Sequence, residues 1–371
     1  MTTSRIAVFR LLLVVVSVAV ALGLGEAAAR FRVQGRPDVG LRRLHVLRAD
    51  RPWLYGLRPG ADVRFGWGRT VHYVINQDGF RGPRPARPKP PDRFRVVILG
   101  DSIAFGYGVE ETETFARQLE SELNRRIPEA GIEILNLGVG GYNAWNEAKL
   151  LEDVGVAYQP DLVLVQFCIN DLNSPASQFD GQTRMVLSAI PDDAFPDPSR
   201  RNEVRPVPSR SAAWCAHSML CMLGRELWRK WVHPDVDDAA GSTEFEPVES
   251  EGGPEWRWLE RNYLEMEAVA RNSRARFAVL LIPYPGQMAK RQADPVREQF
   301  VSLGHRHGWT VVDPVPAFRA AHEISTQLFI DQWHPTPEGH RIIAKEALQV
   351  LTCAGQLGAE ARRACPDRSV R

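Results

Sequence analysis

Five short apolar runs punctuate the second half of the chain: Phe94–Leu99, Ile132–Leu137, Leu162–Phe167, Phe277–Ile282 and Thr310–Val312. They are rich in Val, Ile and Leu and lack a strict polar alternation, as expected of strands buried on both faces of a parallel sheet. Longer stretches with helical spacing lie between and after them, at Glu255–Arg274, Pro295–His307 and Pro337–Cys353. Strands that alternate with helices or crossovers predict an α/β chain with a five-stranded parallel sheet in a three-layer α/β/α sandwich.

The flanking segments read differently. Trp53–Gly82 alternates aromatic and aliphatic residues with Gly and an Asn-Gln-Asp-Gly run, as a small N-terminal β-rich appendage would (residues 45–83). A Pro-rich connector, 84–92, leads into the main domain, 93–353. Residues 173–253 carry many Pro, Asp and Ser and are too long for an ordinary connection, so they read as an insertion between the third and fourth strands. Within it Trp214–Trp231 reads as a helix and Asp235–Gly253 as an acidic, Gly- and Ser-bearing stretch. Five of the ten Trp fall between Trp214 and Trp258; helix packing is favoured over a sugar-stacking or membrane-facing lip. Residues 354–371 form a tail, and no internal repeat is visible.

At the N-terminus, Arg5 and Arg10 precede the uncharged run Leu11–Leu24. It is short for a span of about 20 residues and suits a signal-peptide core; with Ala27-Ala28-Ala29 beyond it, residues 1–30 read as a signal anchor or a cleaved signal peptide. The expected location is the cell envelope, with a membrane contact through this segment and an extracytoplasmic main domain, or secretion after cleavage. Arg30, Arg32, Arg36, Arg42 and Arg43 pull the other way by the positive-inside rule. Arg30–Arg95 holds 16 basic residues against five acidic ones, either a solvated Arg-rich stretch or one that lies against an anionic surface.

The 371 residues are 44% apolar and carry a net charge of +1, enough for a sizeable core and without the basic excess of a nucleic-acid binder. No Cys/His spacing suggests a metal, and no cofactor is expected. Of five Cys, four form two close pairs, Cys215/Cys221 and Cys353/Cys365, which suggest local disulfides in an oxidising compartment.

The candidate chemistry sits where the strands end. Gly100-Asp101-Ser102 follows the first strand and puts Ser102 on a strand-to-helix turn, where helix N–H groups point at developing negative charge. More than two hundred residues later, Asp331-Gln-Trp-His334 supplies a base and a carboxylate to fix its tautomer. Gly138-Val-Gly140-Gly141-Tyr-Asn143 follows the second strand and Cys168-Ile-Asn170-Asp171 the third, offering donors for a tetrahedral oxyanion. Cys168 is passed over as nucleophile because the serine set is complete. His340 is expected in the first turn of the last helix, pointing along it, and His305 and His307 at the surface.

Together these blocks resemble the SGNH (or GDSL) hydrolase family, in order from about residue 96 to 343. The first reads Gly100-Asp101-Ser102-Ile103, with Ile in place of the usual Leu; the second reads Asn136-Leu-Gly-Val-Gly-Gly141. The third reads Cys168-Ile169-Asn170-Asp171, with Cys in place of Gly, and the last is Asp331-Gln-Trp-His334. The resemblance implies a flavodoxin-like fold in which Ser102 attacks, His334 is general base and Asp331 orients it. It also implies an oxyanion hole of Ser102 N–H, Gly141 N–H (with Gly140 as fallback) and the Asn170 side chain. The activity so implied is cleavage of an ester through an acyl-enzyme at Ser102, on a small-molecule or polysaccharide ester or a lipid. An O-acyltransferase for an envelope polysaccharide would use the same residues, and a catalytically silent envelope-binding module is a third reading.

Overall fold

The computed structural model describes residues 3–33, 37–48, 50–66, 69–172, 252–288, 294–322, 327–363 and 365. The Cys215/Cys221 pair, the helix expected at Trp214–Trp231 and nearly all of the insertion lie outside them.

Helix α1 (Thr3–Val33) carries the apolar N-terminal run, and Leu12, Leu13, Val14, Val15, Val16, Val18, Val20, Leu22 and Leu24 are all more than half exposed. Its side chains are described for Arg10 and residues 12–28; among the described residues no helix is long and apolar enough to cross a membrane. Helix α2 (Pro37–Leu44) leads into two antiparallel hairpins, β1 (His45–Leu47) with β2 (Tyr55–Leu57), and β3 (Asp62–Phe65) with β4 (Val71–Val74). This is the β-rich appendage expected from the sequence, and its core is continuous with that of the main domain. Tyr55, Phe65, Val71 and Tyr73 are buried in the same apolar cluster as Val97, Leu99, Phe105 and Leu137 of the main domain.

The sheet then unfolds as the apolar runs predict: β5 (Phe94–Leu99), β6 (Ile132–Asn136), β7 (Leu162–Phe167), β8 (Arg276–Leu281) and β9 (Thr310–Val312). All four pairings are parallel, in the order β6-β5-β7-β8-β9. In strand order this is 2-1-3-4-5, the flavodoxin-like arrangement, and it reverses direction between β5 and β7. Relative to expectation, β6 is shorter by Leu137 and β8 is shifted back by one residue.

Period-two alternation splits the core into two layers. Val97, Leu99, Val163, Val165, Val279 and Leu281 face one cluster; Val96, Ile98, Leu162, Leu164, Ala278 and Leu280 face the other. After β5 comes a one-turn helix α3 (Ser102–Phe105), then α4 (Phe115–Arg126), whose Thr114 side chain caps Arg117 N–H. Helix α5 (Ala144–Asp153), capped by Asn143, follows β6. Helices α6 (Pro254–Asn272) and α7 (Pro295–Arg306) share the first cluster with α5; helices α8 (Val315–His322) and α9 (Pro337–Cys353) join α4 in the second, Phe318 being the main contribution of α8. Trp256 and Trp258 of α6 are buried, in line with helix packing. A last short helix, α10 (Ala359–Arg363), is followed by Cys365, which forms a disulfide with Cys353 and ties the tail to α9.

Candidate active site

The reversal of strand order between β5 and β7 opens a crevice at the carboxyl ends of the strands, and three of the sequence blocks leave the sheet there. Ser102 is the first residue of α3. Ahead of it, the Asp101 carboxylate accepts the Ile103 N–H at 2.8 Å and so caps the turn. Gly100 is required by crowding: a Cβ there would lie 2.6 Å from the Ala104 Cβ and against the Gln166 amide.

The last block arrives from the loop between α8 and α9. His334 Nε2 lies 2.9 Å from Ser102 Oγ, across 232 residues of sequence. His334 Nδ1 lies 2.8 Å and 3.0 Å from the two Asp331 carboxylate oxygens. If Nδ1–H donates to the carboxylate, Nε2 is left with its lone pair toward the serine hydroxyl, the tautomer a general base needs. Asp331 Oδ1 also accepts the N–H groups of Trp333 and His334, both at 2.8 Å. Burial works against ionisation of Asp331, yet the hydrogen bonds from His334 and the loop hold its carboxyl below the usual range. The Tyr107 ring meets the imidazole edge-on, with centroids 5.8 Å apart.

The oxyanion candidates converge on the same edge. Gly141 has φ +81°, a conformation that suits glycine, in the loop after β6. Asn170 lies in the short turn after β7, and its Nδ2 donates to Tyr142 O at 3.1 Å, joining the second and third blocks. Asn136 ties the second block to the first: its Nδ2 donates to Ala104 O at 2.5 Å while its Oδ1 accepts the Gly138 N–H at 3.0 Å. Cys168 is buried, and burial pushes its thiol well above the ordinary range, so it is no thiolate nucleophile. Beside the triad loop a cavity of about 510 Å³ is lined by Tyr284, Pro285, Gly286, Asp331, Gln332 and Trp333.

Against family models, residues 98–342 match the GDSL-like Lipase/Acylhydrolase family. The chain belongs to that family. As a family member it is an SGNH-type ester hydrolase, and the four blocks fall inside the matched region. A search of curated proteins finds no match. Among solved structures, LAE5, an alpha/beta hydrolase enzyme from the metagenome of Lake Arreo, is 19% identical, covering 72% of this chain and 97% of that one, with a TM-score of 0.41. Axe2, an acetylxylan esterase from Geobacillus stearothermophilus, is 16% identical over 70% of this chain and 94% of its own, TM-score 0.41. A lipolytic G-D-S-L protein from Veillonella parvula is 14% identical over 70% and 98%, TM-score 0.39.

Several residues that shape this GDSL site carry no motif. Gln166, buried in β7, accepts the N–H groups of Asp101 and Ala104 at 3.2 Å and 3.1 Å, holding the turn around Ser102 from below. A lone Gln inside the apolar run Leu162–Phe167 was the available signal. Arg81, which follows the second hairpin, is buried and donates to Phe105 O, Gly106 O and Val109 O at 3.0, 2.7 and 2.8 Å, satisfying carbonyls where α3 ends. Burial lowers its guanidinium to about 10. Tyr73 OH accepts the Gly108 N–H at 2.9 Å.

His340 lies in the first turn of α9, as expected, and is fully buried; its Nδ1 accepts the Phe115 N–H at 3.1 Å and its ring stacks on Phe115. His305 is exposed as expected, whereas His307 is half-buried, 2.6 Å from Glu260 Oε1 and stacked on Trp309.

Proposed function

We propose that the ester is cleaved through an acyl-enzyme at Ser102. The observation that carries this reading is the unbroken chain from Ser102 Oγ through the His334 imidazole to the Asp331 carboxylate, at 2.9 Å and 2.8 Å. Ser102 Oγ attacks the ester carbonyl as His334 Nε2 takes the hydroxyl proton, and Asp331 stabilises the imidazolium. Ser102 N–H, Gly141 N–H and the Asn170 amide receive the oxyanion. As the tetrahedral adduct collapses, His334 returns the proton to the departing alkoxide. Water then enters by the same route in reverse, its proton going to His334, and the carboxylic acid leaves as Ser102 recovers its hydrogen.

The substrate we favour is an acyl group on a carbohydrate or cell-envelope polymer. The cavity beside the triad supports this, since Tyr284 and Trp333 offer aromatic faces suited to the apolar face of a sugar ring on the alcohol side. We further propose an envelope location, with α1 as anchor: its row of exposed Leu and Val side chains and the Cys353–Cys365 disulfide support it.

Ser102→Ala is the decisive variant. It should fold as the wild type does and lose both p-nitrophenyl acetate turnover and the mass increase from a fluorophosphonate. Wild-type-like turnover by the purified variant would reject the acyl-enzyme. Comparing short and long p-nitrophenyl esters with acetylated oligosaccharides would then size the acyl and alcohol sides.

A further inference from the structure

The first hairpin reaches into the active-site loop through Tyr55. Tyr55 OH donates to Gly140 O at 3.2 Å, across 85 residues of sequence. That carbonyl belongs to the same peptide unit as the Gly141 N–H. The peptide is trans, as is every described bond but Arg87–Pro88, so its C=O and N–H point in opposite directions. Anchoring the carbonyl on the hairpin side therefore aims the Gly141 N–H away from the hairpin.

Glycine on both sides makes this anchoring matter. With neither Cβ to oppose it, the Gly140–Gly141 peptide can turn over at little steric cost, which would exchange the N–H donor for a carbonyl that repels an oxyanion. No side chain can stiffen the peptide from Gly140, because a Cβ there would lie 2.6 Å from the Tyr107 ring. Tyr55 itself is locked. It is buried, it packs edge-on against Tyr142 with centroids 4.9 Å apart, and its own carbonyl accepts the Tyr142 hydroxyl. Next to it, Trp53 O accepts from Asn146 Nδ2 at 3.2 Å, and Trp53 Nε1 donates to Asp153 at 2.8 Å, pinning the hairpin to both ends of α5. A hydrogen bond to the carbonyl also polarises the amide and strengthens its N–H as a donor.

We infer that Tyr55 is a positioning residue for ester cleavage: its hydroxyl fixes the Gly140–Gly141 peptide so that the Gly141 N–H serves the oxyanion. This rests on the proposed role of Gly141 in an acyl-enzyme mechanism. It makes the N-terminal hairpin part of the machinery of turnover rather than an accessory.

The test is Tyr55→Phe in the full-length protein, which keeps the ring against Tyr142 and removes only the donor. Full loss of an oxyanion donor typically costs 10² to 10³ in kcat, so loosening one should lower kcat for p-nitrophenyl acetate on the order of 10-fold, with KM within about twofold. The rate of fluorophosphonate labelling, which needs the oxyanion hole but no alcohol pocket, should fall by a similar factor. 3-Fluorotyrosine at position 55, which retains the donor, should restore both. Tyr158→Phe also strips the hydroxyl from a buried tyrosine, one that donates to Asp78 Oδ2 at 3.2 Å and makes no contact with this peptide, and should leave kcat near wild type. Wild-type kcat in Tyr55→Phe, failure of fluorotyrosine to restore it, or an equal loss in Tyr158→Phe would each overturn the inference. If Ser102→Ala is inactive while Tyr55→Phe turns over normally, this inference alone fails; if Ser102→Ala is active, the mechanism beneath it fails.

Discussion

His340 should make the fold sensitive to acid without taking part in turnover. It is fully buried, with Nδ1 occupied by the Phe115 N–H and Nε2 buried without a partner among the described residues. Burial, helped by the nearby Arg81 and His334, lowers it from 6.5 to about 3. Between these values the unfolded chain binds a proton that the folded chain refuses, so stability falls as pH falls, by about 1.4 kcal/mol per unit once well inside the window. From pH 7.5 to pH 5 this one group should remove about 2 kcal/mol. His340→Gln keeps an acceptor for the Phe115 N–H and cannot titrate. Urea unfolding of both proteins at the two pH values isolates the contribution, because every other titrating group cancels in the difference of differences. The variant should lose about 2 kcal/mol less than wild type on acidification, while keeping wild-type kcat at pH 7.5. An identical acid loss in both proteins would refute the argument, and loss of turnover in the folded variant would reopen the assignment of the base.

The sheet was legible because its strands are buried on both faces, which compresses the pattern into short apolar runs of strand length. All five runs became strands, displaced by at most a residue at an end. Helices α4 and α5 were not singled out. Their start signals, Thr114 and Asn143, are ordinary cap residues whose meaning depends on which turn follows. The hairpins were readable as β-rich, yet their docking was not: Tyr55 and Arg81 act through backbone carbonyls far along the chain, and a carbonyl leaves no trace in a sequence pattern.

The triad is the opposite case. Ser102, Asp331 and His334 are carried by side chains at strand-end and loop positions, so residue type and place alone bring them into consideration, and the fold brings them within hydrogen-bond reach. Of the buried polar groups behind the site, only Gln166 stands out, as the one polar residue of the run Leu162–Phe167. A Glu or a His in the first turn of a helix is as common on a surface as in a core, and only tertiary contact distinguishes Glu147 and His340 from their exposed counterparts.

Two further outcomes are expected. A reporter fused after Arg371 should be active on the extracytoplasmic side of the membrane; activity confined to the cytoplasm would overturn the proposed location. The other concerns Glu147, which is fully buried on α5 with neither carboxylate oxygen partnered among the described residues. Burial, reinforced by Asp171 and Asp101 nearby, raises its carboxyl well above the usual range, so the folded protein holds it neutral while the unfolded chain ionises from about pH 4.5 upward. Ionisation then favours the unfolded state, and the fold loses stability as pH rises from that point to the raised folded value, by at most about 1.4 kcal/mol per unit. Glu147→Gln cannot ionise in either state. Whatever the amide costs in packing is the same at every pH, so the melting temperature of the variant should gain on wild type between pH 5 and pH 8. Parallel melting curves across that range would mean that Glu147 ionises as readily inside the fold as outside it, and that its surroundings are more polar than the buried, unpartnered carboxyl described here.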